Sequence, residues 1–245
     1  MKIAFGILTM LILKTPRLYE ELLTQNVLKD DIYIFRALHT KLSNNLWYQK
    51  WRSIGVNSFK MYEKSVSVAL LKNYSVFIYL EEDVNLLHNS IPNAHKILSV
   101  LPKNWTYVSF HTLRPIGNVI STTELISNST YQSQKVEIIQ IKQCHVKYAN
   151  TWKNLPNNVW TSMHAFNVKQ LMMYLPYFHK KIDIKSINEQ FDRVLLYNTE
   201  KFDFYSVRPY CQVEHPYLCA PFAKLKKYGI QFENKCKSPF TKHVG

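Results

Sequence analysis

An almost unbroken apolar run over residues 3–10 constrains the fold of this chain more than any other feature. Strands with one solvated face alternate apolar and polar residues, whereas strands buried on both faces are apolar throughout. The charged start followed by an apolar stretch also imitates a signal peptide. However, no small-x-small cleavage site follows, and the run is too short to span a bilayer. The run therefore predicts a buried first strand of an α/β domain.

Segments with helical spacing alternate with short apolar segments along the rest of the chain. The predicted helices cover residues 17–26, 57–72, 92–101, 168–175 and 187–197, and the further predicted strands cover 31–37, 75–80, 106–110, 136–141 and 202–207. Pro176 is expected to end the fourth of these helices, because proline lacks the backbone N–H that a helix interior needs. This alternation predicts an α/β fold with a mixed, mainly parallel central sheet flanked by helices.

The composition indicates one large domain with a basic surface. Hydrophobic residues make up 47% of the 245 residues and only five are glycine, so a large core is available and no flexible linker is evident. We expect a single domain over residues 1–215 and a basic extension over 216–245 that packs on or near it. The net charge of +14 favours an anionic partner, although an A+T-rich genome would also produce many lysines. The four cysteines lack zinc-site spacing, and we expect a cytoplasmic protein that can contact a membrane surface peripherally.

Three consecutive acids, Glu81, Glu82 and Asp83, directly follow the predicted strand over residues 75–80. Ligands of open α/β sheets collect at the carboxyl ends of the strands, so these acids lie where chemistry is expected. Carboxylate oxygens suit Mg²⁺ or Mn²⁺, which typically bridge substrate phosphates. Taken alone, the triplet is also typical of a solvated acidic turn.

Short motifs occur in a defined order on both sides of this acidic triplet. They are Arg17 after the first strand, Gly55, the run Leu80-Glu81-Glu82-Asp83-Val84, Pro102 before Trp105, Ala165-Phe166, and Asp192 followed by Pro209 and Gln212. In this order they resemble glycosyltransferase family 25, which contains lipooligosaccharide-type glycosyltransferases and collagen galactosyltransferases. The chain departs from the family where Phe59-Lys60 replaces a Ser-His pair and where Glu82 replaces an aspartate.

The resemblance implies a GT-A-like nucleotide-sugar-binding fold and a metal-dependent, inverting glycosyltransferase. The donor would be a nucleotide sugar, in the first instance a UDP-sugar, and the acceptor a hydroxyl of a glycan, glycolipid or glycoprotein. Mn²⁺ or Mg²⁺ would be the cofactor, and no nucleic acid partner is expected. The implied roles are metal binding by Asp83 and Glu81, a metal contact through water by Glu82, nucleotide contacts by Leu8, Thr9 and Arg17, general base catalysis by Asp192, and acceptor contacts by His164 and Glu189.

Two other functions stay open on the sequence. A metal-dependent nuclease or phosphohydrolase would use the same acids and the positive charge, although the chain shows no clear second acidic cluster with a catalytic lysine. A non-catalytic binding module of the same fold would account for the lost Ser-His pair and the altered triplet. For Asp192, the alternative is a surface ion pair with Arg193 or Lys185, and Asp183 and Glu189 are then the other candidate bases. For His164, the alternative is a partly buried histidine that is hydrogen-bonded near a helix start.

Overall fold

The computed structural model describes residues 1–9, 16–36, 46–82, 84–110, 118–126, 133–141, 162–181, 201–208 and 213–214. The helices are α1 (Arg17–Thr24), α2 (Leu46–Lys72), α3 (Ser90–Val100) and α4 (Val168–Lys181), with a short 3₁₀ helix at Lys29–Asp31. The strands are β1 (Ile3–Thr9), β2 (Ile32–Arg36), β3 (Val76–Glu81), β4 (Asn85–Leu86), β5 (Trp105–Ser109), β6 (Asn118–Ile126), β7 (Ser133–Ile141), β8 (Met163–Asn167), β9 (Asp203–Arg208) and β10 (Val213–Glu214). Among these helices, none is long and apolar enough to cross a membrane.

Eight of the described strands form one sheet in the order β2-β1-β3-β8-β5-β9-β7-β6, and β10 pairs with β4 beside it. Strand β1 is parallel to β2 and β3, and β5 is parallel to β9. Strand β8 is antiparallel to both β3 and β5, and β7 is antiparallel to both β9 and β6. Strands β1, β2, β3, β5, β6 and β9 therefore point one way, and β7 and β8 point the other. The predicted α/β fold with a mixed, mainly parallel sheet flanked by helices is confirmed.

Helices cover the two faces of the sheet and bury two different cores. Helices α1 and α3 pack on one face, called the aliphatic face because most of its side chains are aliphatic; it includes Ile3, Phe5 and Ile7 of β1. Helices α2 and α4 pack on the other face, which is dominated by aromatic rings. Because successive residues of a strand point to opposite faces, nearly every residue of β1 and β3 is buried, as the apolar run in β1 predicts.

The largest differences from the predicted elements occur in β6, β8, α2 and α4. Strands β6 and β8 were not predicted; β6 is largely polar and exposes most of its side chains, and β8 lies directly before the predicted helix over residues 168–175. Helix α2 begins at Leu46, eleven residues before the predicted start at 57, because an interior glycine at Gly55 weakens a helix without ending it. Pro176 does not end α4, which continues to Lys181; the proline is exposed, while Tyr174 and Phe178 anchor the helix in the core.

Two predicted segments lie outside the described residues. These are the helix over 187–197 and the basic extension over 216–245. The division of the chain into a domain over 1–215 and an extension stays a prediction.

Candidate active site

The strand order reverses at β1, and we call the region outside the carboxyl ends of β1 and β3 the crevice. From β1 the chain passes through α1 to β2 on one side, then returns through α2 to β3 on the other side of β1. Helices α1 and α2 pack in opposite cores, so these two connections cross opposite faces of the sheet. In open α/β sheets, ligands bind outside the carboxyl ends of the strands at such a reversal. Leu8 and Thr9 end β1 here, and Glu81 ends β3.

Hydrogen bonds from the end of β1 hold Glu82 in place. The backbone N–H of Glu82 donates to the Leu8 carbonyl at 3.1 Å, and the Thr9 hydroxyl donates to Oε2 of the Glu82 carboxylate. Thr9 is fully buried, so its hydroxyl is a fixed donor. Leu8 and Thr9, predicted as nucleotide contacts, are thus placed beside the acids that follow β3.

The side chains of Glu81 and Glu82 lie toward opposite faces of the sheet. Glu81 follows Tyr79 at a spacing of two and so lies on the aromatic face, whereas Thr9 shares the aliphatic face with Ile7. Burial is the main cause of the raised pKa of Tyr62 in α2, and the Glu81 carboxylate adds to the effect of neighbouring tyrosines. The backbone N–H of Glu81 also donates to the Ser162 carbonyl at 3.1 Å, which ties the end of β3 to β8.

Side chains from one face of helix α1 and its C-cap form hydrogen bonds with the backbone immediately after the acids. Nη2 of Arg17 donates to the Val84 carbonyl at 2.9 Å, and Nε of Arg17 lies 2.9 Å from Oε1 of Glu21. Oε2 of Glu21 accepts a hydrogen bond from the Leu86 N–H at 2.9 Å. One turn further, the Gln25 amide donates to the Leu87 carbonyl and accepts from the Ile91 N–H, at 2.9 and 3.1 Å.

These contacts assign Arg17 a structural position that was not expected. Predicted as a nucleotide contact, it holds Val84, and its side chain remains 57% exposed beside the crevice. The nucleotide role stays a prediction. Glu21 and Gln25 were missed in the sequence, although residues 17, 21 and 25 are spaced by four and so share one helix face. Asp83 falls between Glu82 and Val84, both of which are held, but Asp83 itself lies outside the described residues.

His164 lies in the aromatic core. It is 2% exposed, its Nε2 is 2.7 Å from the Tyr62 hydroxyl, and its ring stacks between those of Tyr79 and Tyr107 at centroid distances of 5.2 and 5.4 Å. The alternative expected a partly buried histidine near a helix start; His164 is hydrogen-bonded just before α4, which begins at Val168, but it is more deeply buried than expected. The acceptor contact predicted for His164 stays a prediction.

The oxygen donors at the crevice suit a hard divalent cation. Glu81 and Glu82 are the described acids at this edge, and the described residues contain no group of three or more His, Cys, Asp or Glu that could hold a metal ion. A third oxygen donor from Asp83 would come from the same turn. The predicted base Asp192 and the acceptor-side Glu189 lie outside the described residues. The metal and base assignments therefore stay predictions.

Comparisons with known proteins show no matching family model, and no curated protein matches the chain. Among solved structures, A197 from STIV has a TM-score of 0.41 at 11% identity, covering 87% of this chain and 84% of its own. A glycosyltransferase involved in the glycosylation of the major capsid of PBCV-1 has a TM-score of 0.48 at 11% identity, covering 97% and 92%. Mannose-1-phosphate geranyltransferase from Thermus thermophilus has a TM-score of 0.30 at 12% identity, covering 79% and 57%. At these identities the function has to be argued from the site itself.

Proposed function

We propose that the protein is a metal-dependent, inverting glycosyltransferase that takes its sugar from a nucleotide sugar, most simply a UDP-sugar. One observation carries the proposal: the acids after β3 lie beside the end of β1, where the strand order reverses. This is where α/β sheets bind nucleotides and their phosphates. The acceptor is a hydroxyl of a glycan, a glycolipid or a glycoprotein.

Different residues of the crevice would bind the metal ion, the phosphates and the nucleoside of the donor. Glu81 and Asp83 would hold Mn²⁺ or Mg²⁺, and Glu82, held by Thr9, would contact the ion through water. When bound, such an ion neutralises the charge that develops on the leaving diphosphate. Leu8 and Thr9 contact the nucleoside, and the exposed guanidinium of Arg17 lies close enough to the same edge to meet a phosphate.

Asp192 is proposed as the general base on the acceptor side. A carboxylate there removes the proton of the acceptor hydroxyl as its oxygen attacks the anomeric carbon. Attack from the face opposite the nucleotide inverts the configuration at that carbon. Glu189 and His164 are the proposed acceptor-side residues.

A thermal-shift titration of UDP and UDP-sugars, with and without Mn²⁺, tests donor binding. Saturation at about a hundred times Kd stabilises the native state by roughly 2.7 kcal/mol, which raises Tm by about 5 °C or more for a chain of this size. We expect this shift only with both UDP and Mn²⁺. Asp83→Ala should abolish it, while Asp30→Ala, which changes an exposed acid at the other edge of the sheet, should retain it.

Transfer assays with Asp192→Asn separate chemistry from binding. This variant should retain the Mn²⁺-dependent shift and lose nearly all transfer, because the neutral amide cannot accept the acceptor proton. Wild-type binding of UDP without turnover of any UDP-sugar above a metal-free control would instead indicate a non-catalytic module. Equal binding of UDP and Mn²⁺ by Asp83→Ala would refute the metal assignment.

A further inference from the structure

Six strand ends lie at the end of the sheet opposite Glu81 and Glu82, which we call the acidic turn. Each of these six strand ends carries one exposed lysine. These six residues, called the lysine edge, are Lys2 before β1, Lys29 before β2, Lys72 before β3, Lys103 before β5, Lys169 after β8 and Lys201 before β9. They share an edge because β1, β2, β3, β5 and β9 are aligned in one direction and β8 runs the other way. All six are exposed.

The acids at the same strand ends do not balance these lysines. Asp30 and Asp31 precede β2, and Asp203 begins β9. The Asp31 carboxylate accepts a hydrogen bond from the Tyr74 hydroxyl at 2.6 Å, and that of Asp203 accepts one from the Gln140 amide at 3.0 Å. Among the described residues at these strand ends, six positive charges thus face three negative ones, which gives a net positive surface.

Large apolar side chains are exposed among these lysines. Met1 is 67% exposed next to Lys2, and Leu28 is 69% exposed next to Lys29. Leu70 and Leu71, just before Lys72, are 57% and 81% exposed. Lysines interspersed with protruding Leu and Met side chains are typical of surfaces that rest on a bilayer, where apolar groups enter the acyl boundary and cations meet the headgroups.

We propose that the lysine edge docks on an anionic lipid bilayer, with Met1, Leu28, Leu70 and Leu71 inserted between the headgroups. A nucleic acid would satisfy the lysines but would leave these apolar side chains without a partner. Residues 209–245 carry six lysines against two glutamates, a charge that does not complement the lysine edge. The occupant that suits both the charge and the apolar side chains is a bilayer.

Docking in this way turns the acidic turn away from the membrane. The six residues of β3 separate the two edges by roughly 20 Å, at about 3.3 Å per residue. A substrate hydroxyl would then reach the crevice from the aqueous side, and not from the plane of the headgroups. The docking surface is independent of the proposed transferase activity, because no residue of the lysine edge belongs to the crevice.

Sedimentation with lipid vesicles tests the surface in the full chain. We expect the protein to pellet with phosphatidylcholine vesicles that contain phosphatidylserine and to stay in solution with pure phosphatidylcholine. Lys72→Glu with Lys103→Glu should weaken binding at least about thirtyfold, since each lysine near an anionic surface contributes severalfold. The matched control is Lys64→Glu with Lys135→Glu, which makes the same charge change at exposed lysines of α2 and β7 away from this edge. This control variant should bind the vesicles severalfold more tightly than the variant with Lys72→Glu and Lys103→Glu.

Leu71→Ser separates a bilayer from other polyanions. This side chain is largely exposed, so the fold should tolerate the change, while vesicle binding should fall about tenfold as the buried apolar area is lost. Three results would overturn the proposal: no binding to anionic vesicles, equal loss in both lysine pairs, or Leu71→Ser binding as tightly as wild type. Tight binding of duplex DNA that weakens with the Lys72 and Lys103 pair but not with Leu71→Ser would assign the edge to nucleic acid instead.

Discussion

Gly6 in the middle of β1 is packed under three aromatic rings. A Cβ placed on Gly6 would lie 3.0 Å from Phe35, 3.1 Å from Tyr79 and 3.2 Å from Phe77, closer than side chains normally approach. The aromatic rings therefore pack directly against the backbone of β1 at Gly6. This close approach lets the rings of β2 and β3 fill the space above a strand that ends in the crevice.

Gly6→Ala is expected to lower the free energy of unfolding by about 1–3 kcal/mol, because the added methyl overpacks the ring cluster. Alanine also gains up to about 1 kcal/mol in a strand by restricting the unfolded chain, so the measured loss is a net value. Urea denaturation monitored by circular dichroism gives this value. Phe35→Leu opens space beside Gly6, so the double variant should lose less than the sum of the single changes. Purely additive losses would show that the ring does not limit the space.

Single residues of the crevice were predictable to different degrees. Glu81 and Glu82 could be located because an apolar strand ends abruptly in charge, which marks a strand end in the sequence itself. The opposite placement of their side chains could not be predicted, since it depends on Thr9 of a neighbouring strand. His164 illustrates the converse: a polar residue between small and aromatic neighbours has the same sequence pattern in a core as in a site.

Helix α1 is the element that positions the chain after the acids. Arg17 and Glu21 of α1, with Gln25 at its C-cap, make five polar contacts with the backbone of residues 84–91 or with each other. Glu82 is held on the other side of position 83 by the end of β1. The acidic turn is thereby fixed at both ends by neighbouring elements, which is the arrangement a preorganised binding site requires.

Glu21→Ala should lower the free energy of unfolding by about 1.5–3 kcal/mol, because it removes a charged acceptor from the Leu86 N–H and from Arg17. It should also weaken Mn²⁺-dependent UDP binding, since the turn loses one anchor. Glu21→Gln keeps an acceptor oxygen and should recover part of both losses. Calorimetric titration of UDP and Mn²⁺, alongside urea denaturation, measures the two effects separately.

Glu20→Ala is the matched control, because Glu20 is an exposed acid on the adjacent position of the same helix. Glu20→Ala should change neither the free energy of unfolding nor the free energy of UDP binding by more than about 0.5 kcal/mol. If Glu21→Ala destabilises the protein but binds UDP and Mn²⁺ like wild type, helix α1 supports the fold and does not position the site. Wild-type protein that binds no UDP would instead refute the proposed function, and the two outcomes are distinguishable.

Elements with strong local patterns were predicted, and those defined by their neighbours were not. Strands β1 and β3 are apolar throughout, so their burial could be inferred from composition alone. Strand β8 has five residues and enters the sheet only by pairing with β3 and β5, contacts that no short stretch of sequence encodes. Helix α4 continues through Pro176 because core packing of its other face outweighs the lost hydrogen bond.

Among the described residues, six exposed lysines lie together at one end of the strands, with three acids beside them. Described acids follow β3 at the carboxyl edge, while the lysine edge occupies the amino ends of the strands. The net charge of +14 was evident in the composition, but its distribution depends on the strand order. Residues distant in the chain, such as Lys2 and Lys201, lie at the same end of the sheet because β1 and β9 point in the same direction. Charge counts therefore indicated an anionic partner without locating where it would bind.

Because several tyrosines are buried, we expect the free energy of unfolding to fall in alkaline solution. Burial, with the Asp203 charge adding to it, raises the pKa of Tyr205 to about 12 from the ordinary 10.0. Burial also raises the pKa of Tyr62, Tyr79 and Tyr174. Between about pH 10 and 12 the unfolded chain has lost these protons while the folded chain still holds them. Stability from this source is complete below pH 10 and falls as the pH rises through that window.

Urea denaturation at half-unit steps from pH 8 to 11.5 measures this fall. Each tyrosine that stays protonated only in the folded state lowers the free energy of unfolding by up to about 1.4 kcal/mol per pH unit. Tyr205→Phe removes one such group and should make the decline shallower by at most that amount. Phenolate absorbance should show these buried tyrosines ionising only as the protein unfolds. Their ionisation near pH 10 in protein that remains folded would contradict the burial of these hydroxyls between the sheet and its helices.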